Sequence, residues 1–166
     1  MMFVNGVQFF MTISQHIGFG TSEHITNAKR ATLVQSLLQI NRLYKRKGFK
    51  IQAVMMDGQF EPIEADSDNA GIAVSTTSRY DHKPIIERYI RTIKDRSISV
   101  WSTLPFKKVP FRIIIEFIYA SVFWFHAFPH HDGISTTMST REIITGTTLD
   151  YNCHCKHQYS DYIQTH

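Results

Sequence analysis

Phe49-Lys-Ile-Gln-Ala-Val-Met-Met-Asp-Gly58 decides the reading of this chain. From Phe49 the segment becomes continuously apolar to Met56, as suits a strand covered on both faces, and Asp57-Gly58 ends it. Upstream, from Ser22 to Lys47, the pattern is helical, with Leu33, Leu37, Ile40 and Tyr44 spaced at three and four. Thr21-Ser22-Glu23 offers its cap, and Gly48 its stop. Strand, helix and strand in succession predict an α/β fold with a sheet between helices.

Further upstream, Asn5-Gly6 is a strong hairpin signal, so Met1–Val4 reads as a very short first strand. In the second, Val7, Phe9, Met11 and Ile13 share one face, while Gln8 and Thr12 share the other. A third strand is expected through His16 to Phe19. Downstream, Glu61–Asn69 reads as a short helix or loop and Gly71–Ser75 as a brief strand. Pro84 opens a helix running at least to Arg96, and Pro110 opens an apolar one, Phe111–Phe128. Ser139-Thr-Arg-Glu142 has capping-box spacing before a last short helix that Gly146 closes.

With 166 residues there is room for one ordinary domain. Hydrophobic residues make up 43% and charged ones 19%, which excludes a disordered or collagen-like chain. The formal charge of +4 favours an anionic partner. Cys153 and Cys155 are too close together to staple a fold, so a reducing compartment is expected. MMFVNGVQFF has neither the basic flank nor the cleavage site of a secretory signal, and the expected location is nuclear or cytoplasmic, not secreted.

Two carboxylates stand out. Asp57 closes the apolar strand, and ligands gather at the carboxyl ends of strands in open α/β sheets, although Asp-Gly is also an ordinary turn. Glu87, Arg91 and Lys94 lie at i, i+4 and i+7 on one helix face, beside an apolar stripe of Ile86, Ile90 and Ile93. A surface Glu87–Arg91 pair is the plain alternative. Carboxylates flanked by cations suit phosphodiester chemistry, in which Mg²⁺ keeps part of its shell for phosphate and paired ions act on both attacking and leaving oxygens. Arg91 and Lys94 would hold the backbone.

These residues fall within words that resemble the integrase core of copia-type retrotransposons: Phe3-Val-Asn-Gly-Val-Gln-Phe9, Val54-Met-Met-Asp-Gly-Gln-Phe-Glu61, Ile86-Glu-Arg-Tyr-Ile-Arg-Thr-Ile-Lys-Asp-Arg96, Ala120-Ser-Val-Phe-Trp-Phe125 and Phe128-Pro129. The resemblance implies a ribonuclease-H-like fold, with a mixed central sheet flanked by helices, and an Asp, Asp, Glu triad that joins element DNA ends to target DNA with Mg²⁺ or Mn²⁺. Asp57 then matches the second carboxylate and Glu87 the third, while Arg91 and Lys94 match cations that touch DNA in related retroviral integrases. It also implies DNA as partner, both element ends and target, and leaves room for a homo-oligomer. Residues 1–128 would be the core, and 129–166 an extension with a short helix.

Two departures accompany it. Twenty-nine residues separate Asp57 from Glu87, against roughly thirty-five in retroviral integrases, a shortening that a loop tolerates. More seriously, no Asp precedes Asp57, and Glu23, the only earlier acid, is expected to cap a helix. The expectation is therefore a first strand truncated just after the first catalytic Asp, doubtful metal binding, and an inactive fragment. The alternative is a non-enzymatic nucleic-acid-binding or assembly remnant.

Other patterns carry less. Cys153-His-Cys-Lys-His157 places alternate neighbours where a zinc ion needs wrapping ligands. Asp66–Gly71 lacks calcium-loop ligands, with Ala70 at a ligand place. His126, which stands where copia-type relatives usually have Asn, His130 and His131 read as core or surface histidines. The Phe111–Phe128 helix nearly reaches membrane-spanning length, but Arg112, Glu116 and His126 oppose insertion, so it is expected to pack on the sheet.

Overall fold

A computed structural model describes residues 1–63, 71–77, 84–105, 108–130 and 133–156. Strand β1 (Met2–Val4) pairs antiparallel with β2 (Val7–Ile13) through the expected turn. Asn5 and Gly6 both take positive φ, 47° and 81°, which a tight hairpin turn of this hand demands. β2 pairs antiparallel with β3 (Gly20–Ile25) over six residue pairs.

The third strand therefore lies later than expected. His16–Phe19 forms the connecting turn, with Gly18 at φ 73° and its N–H donating to the Ser14 carbonyl at 2.9 Å. Ser22 and Glu23 sit in the ladder rather than at a helix start. Two tertiary bonds hold this stretch extended: the Thr12 and Thr21 hydroxyls meet at 2.7 Å, and the His24 N–H donates to the Tyr119 hydroxyl at 3.2 Å. Glu23 is thus a half-buried strand residue and not a cap, and burial pushes its carboxyl pKa up.

Helix α1 (Arg30–Lys45) starts once the Asn27 carboxamide oxygen has accepted bonds from the Lys29 N–H, 3.1 Å, and the Thr32 hydroxyl, 3.0 Å. Its buried face includes Leu33, Leu37, Ile40 and Tyr44, the expected stripe. Gly48, at φ 77°, supplies the stop.

Strand β4 (Ala53–Asp57) is shorter than the apolar run suggested and pairs parallel with β5 (Ala73–Thr77). A 3-10 turn, Gly58–Ile63, follows β4. Among the described residues the antiparallel and parallel ladders are separate. Met55 is 58% exposed, so β4 is not covered on both faces. That position belongs to β2, where Phe10 packs with α1, β4 and the 3-10 turn on one side, and Phe9 and Met11 face the opposite layer.

The opposite layer is α2 (Pro84–Ser102) and α3 (Phe111–Phe125). From α2 it receives Tyr89 and Ile93, edged by Ile86 and Ile90, and from α3 Ile114, Ile115 and Ile118. α3 stops three residues before the expected end because His126 leaves helical geometry. It packs on β2, β3 and α2 as expected, and no helix of the described residues is long and apolar enough to cross a membrane.

The capping box before α4 (Thr140–Thr145) forms on one side: the Ser139 hydroxyl accepts the Glu142 N–H at 3.1 Å, and Gly146 closes the helix at φ 67°. The Glu142 carboxylate accepts from Thr148 at 2.8 Å instead of turning back to the cap. Ile144 joins the α1-side core, and a single turn, α5 (Tyr151–His154), ends the described chain.

Candidate active site

Asp57 is the last residue of β4, its backbone opposite Thr77, at the carboxyl end of the parallel pair. Its side chain is exposed. The continuous apolar run delivers it there, because Val54 and Met56 anchor the strand against the α1-side core.

Glu87 lies in the first turn of α2, where a negative charge suits the helix dipole. Tyr89, Ile93 and Ser97 fix the helix by burial, and the Ser97 hydroxyl meets that of Ser121 on α3 at 2.9 Å. This rotation leaves Glu87 and Arg91 exposed and Lys94 half-buried. Lys94 lies two turns, about 10 Å, along the axis from Glu87.

The structure brings Lys94 and Asp57 into one neighbourhood around the start of the chain. The α-ammonium of Met1 has its pKa lowered, chiefly by burial; the Asp57 carboxylate opposes that shift, and the Lys94 ammonium adds to it. Lys94 also borders an apolar groove of about 390 Å³ with Phe3, Val4 and Asn5 of the first hairpin and Ile98 and Trp101 of α2. Glu87 sits on the same helix but nearer its exposed N-terminal end.

The resemblance implies Mg²⁺ or Mn²⁺ at these donors. A centre that holds two ions on protein oxygens needs carboxylates converging on it. Among the described residues no group of three His, Cys, Asp or Glu side chains stands together in that way. Asp57 and Glu87 alone do not fit such a centre. Of the other patterns, Cys153 and Cys155 are exposed free thiols, whereas His157, His131 and the Asp66–Ala70 stretch fall outside the described residues.

One constellation escaped the sequence. His126 is 2% exposed; its Nε2 accepts the Gly20 N–H at 3.0 Å and its Nδ1 lies 2.9 Å from the Thr140 hydroxyl. A backbone N–H can only donate, so Nε2 carries no hydrogen and Nδ1–H donates to Thr140. Burial, the largest cause, pushes the imidazole pKa down to about 3. Phe19, Phe125 and Tyr89 surround the ring, with centroids at 4.8, 4.9 and 5.9 Å. His126 is thus a core histidine, as expected, and it couples the end of α3 to β3 and α4. Only the apolar setting of the Phe125-His126-Ala127 segment hinted at this.

No protein-family model and no curated protein matches the chain. Among solved structures, the chain is similar to the catalytic core domain of BIV integrase, with a TM-score of 0.58 at 16% identity, covering 93% of this chain and 92% of that one. At that identity the likeness establishes the fold: a ribonuclease-H-like α/β arrangement like that of an integrase catalytic core.

Proposed function

We propose that the chain is the core of a copia-type retrotransposon integrase, a polynucleotidyl transferase lineage that joins element DNA ends to target DNA. Asp57 and Glu87 match two of the three metal-binding carboxylates of that lineage, a set that is not complete in these two alone, and Arg91 and Lys94 are its DNA-backbone contacts. The observation that carries this reading is Asp57 at the carboxyl end of β4, with both its carboxylate and the ammonium of Lys94, on the helix that bears Glu87, acting on the Met1 ammonium, in a fold shared with an integrase core over 93% of the chain. Residues 1–128 form the core in this reading, and 129–166 an extension. The protein works inside the cell, in nucleus or cytoplasm, with DNA as partner and self-association in keeping with the fold.

Mg²⁺ or Mn²⁺ is the cofactor that hard carboxylate oxygens select, but two carboxylates hold it poorly, and groups that act as a unit lose most of their effect when one is missing. With these two carboxylates alone, joining activity is expected to be negligible. The same donor set favours a second reading, a DNA-binding module without metal chemistry.

Incubation with a labelled element-end duplex and Mn²⁺ tests the first reading, with no joined product expected. An aspartate placed directly ahead of Met1, beside Asp57, separates the two readings. Gain of Mn²⁺ binding that Asp57→Asn abolishes supports the enzyme core; unaltered Mn²⁺ indifference supports the module. Robust joining by the unaltered chain contradicts the inactive state.

A further inference from the structure

We infer that the apolar groove between the first hairpin and the α2–α3 layer is a stacking site for unpaired nucleobases, so that the preferred ligand is DNA with a single-stranded end rather than a closed duplex. The inference rests on the polynucleotide reading above and names the form of nucleic acid that its α2 face takes.

Along α2, Glu87, Arg91, Lys94, Ile98 and Trp101 follow one another at intervals of four, three, four and three, which makes them one continuous stripe of the helix. The stripe changes character half-way: it is charged as far as Lys94 and apolar from Ile98 on. Lys94 stands at the change and borders the groove of about 390 Å³ together with Val4 and Asn5 of the hairpin, Ile98 and Trp101. At ~1.5 Å per residue, Ile98 lies ~6 Å and Trp101 ~10 Å beyond Lys94 along the axis. Stacked bases follow one another at ~3.4 Å along a strand. A strand whose phosphates rest on Arg91 and Lys94 and which continues along the helix therefore brings its next few bases to the groove.

The groove suits a base and not a phosphate. Of the described residues lining it, Lys94 is the only charged one, and the Ser97 hydroxyl is already engaged by the Ile93 carbonyl at 2.8 Å and the Ser121 hydroxyl at 2.9 Å. A phosphate pushed past Lys94 would lose its water without gaining a partner. A base loses little there, because its faces are apolar and Trp101 offers a ring to stack on. Trp101 is half-buried and meets Phe117 edge to face with centroids 6.3 Å apart, which holds the indole at the groove wall before any ligand arrives. Ile98, at the rim, is 63% exposed, so the apolar lining reaches solvent. The volume falls within the ~300–1,000 Å³ of small-molecule sites. Inside a duplex the faces of a base are covered by its neighbours, and only an unpaired base has one to offer. A cation beside an aromatic platform is the combination with which proteins hold single strands. A wholly apolar ligand fits less well, since it would cover Lys94 without pairing its charge.

The test is fluorescence anisotropy of the whole chain with three labelled DNAs: a blunt duplex, the same duplex with a short single-stranded tail, and the same duplex with a tail of abasic sites. The tailed duplex is expected to bind at least about fivefold more tightly than the other two. Ile98→Gln, at an exposed position, and Trp101→Leu are each expected to bring the ratio of tailed to blunt affinity close to one, while Trp101→Phe, which keeps a ring, retains most of it; circular dichroism checks folding. In a Trp124→Phe background Trp101 is the sole indole, and its emission is expected to be quenched by the tailed duplex and not by the blunt one. Equal affinity for tailed and blunt duplexes overturns the inference and leaves the proposed function standing, as does an abasic tail that binds as well as an intact one. Failure to bind any of the three overturns both together. Self-association that Ile98→Gln abolishes, with the tail preference unchanged, assigns the groove to a second copy of the chain and also overturns the inference.

Discussion

The backbone N–H of Gly20 donates to His126 Nε2 at 3.0 Å across 106 residues of sequence, so the first residue of β3 and the residue that ends α3 are held by one buried bond. The bond requires a neutral imidazole.

That requirement sets a pH dependence. The unfolded histidine titrates near 6.5 and the folded one near 3. Between those values the unfolded chain takes up a proton that the folded chain refuses, so stability is full above pH 6.5 and falls as the pH drops towards 3. The loss is about 1.4 kcal/mol per pH unit at its steepest. Glu23, whose carboxyl pKa burial raises, acts in the opposite sense. Urea unfolding at pH 7, 6, 5 and 4 should show the decline, and His126→Gln should flatten it. An equally steep decline in that variant counts against His126 as its source.

Gly20 is required for space. A Cβ built there would overlap the Tyr89 ring, and that ring is fixed between Phe125 and His126 with centroids at 5.3 and 5.9 Å. Overpacking of this kind costs roughly 1–3 kcal/mol. Gly20→Ala should lower the urea midpoint accordingly, and Gly20→Ala with Tyr89→Leu should recover part of the loss. A parental midpoint in the single variant shows that the ring yields freely.

Ser139 caps α4 through the Glu142 N–H at 3.1 Å. Because Ile144 of that helix is 1% exposed and lies in the α1-side core, the cap matters to the whole domain. Ser139→Ala should cost about 1 kcal/mol, seen as a fall of roughly 2–4 °C in Tm. No change in Tm would show that α4 docks without its cap.

Much of this fold is legible where the determinants are local. Asn5-Gly6 specifies its turn because few residues tolerate positive φ, Leu33, Leu37, Ile40 and Tyr44 specify a helix face by their spacing, and Ser139 with Glu142 specifies a helix start. The stretch Gly20–Ile25 is not legible in this way. Thr21-Ser22-Glu23 has the polar makeup of a cap, and only pairing with β2 and the Tyr119 hydroxyl, 95 residues from His24, hold it as a strand. The alternation in β2 suggests a half-buried strand with Gln8 and Thr12 on its open face, but Phe10 on that same face is buried once α1 packs over it. At the candidate site, residue types and helix spacing pointed to Asp57, Glu87, Arg91 and Lys94. That Lys94 and Asp57 both act on the Met1 ammonium depends on how α2 crosses the sheet, which no local pattern encodes.

Salt-dependent DNA binding tests the central claim most directly, that the α2 face beside Asp57 is a polynucleotide site. With a labelled element-end duplex, Arg91→Glu with Lys94→Glu should weaken binding by at least about tenfold and reduce the log–log salt slope by roughly two. The same affinity and the same slope in that variant would contradict it.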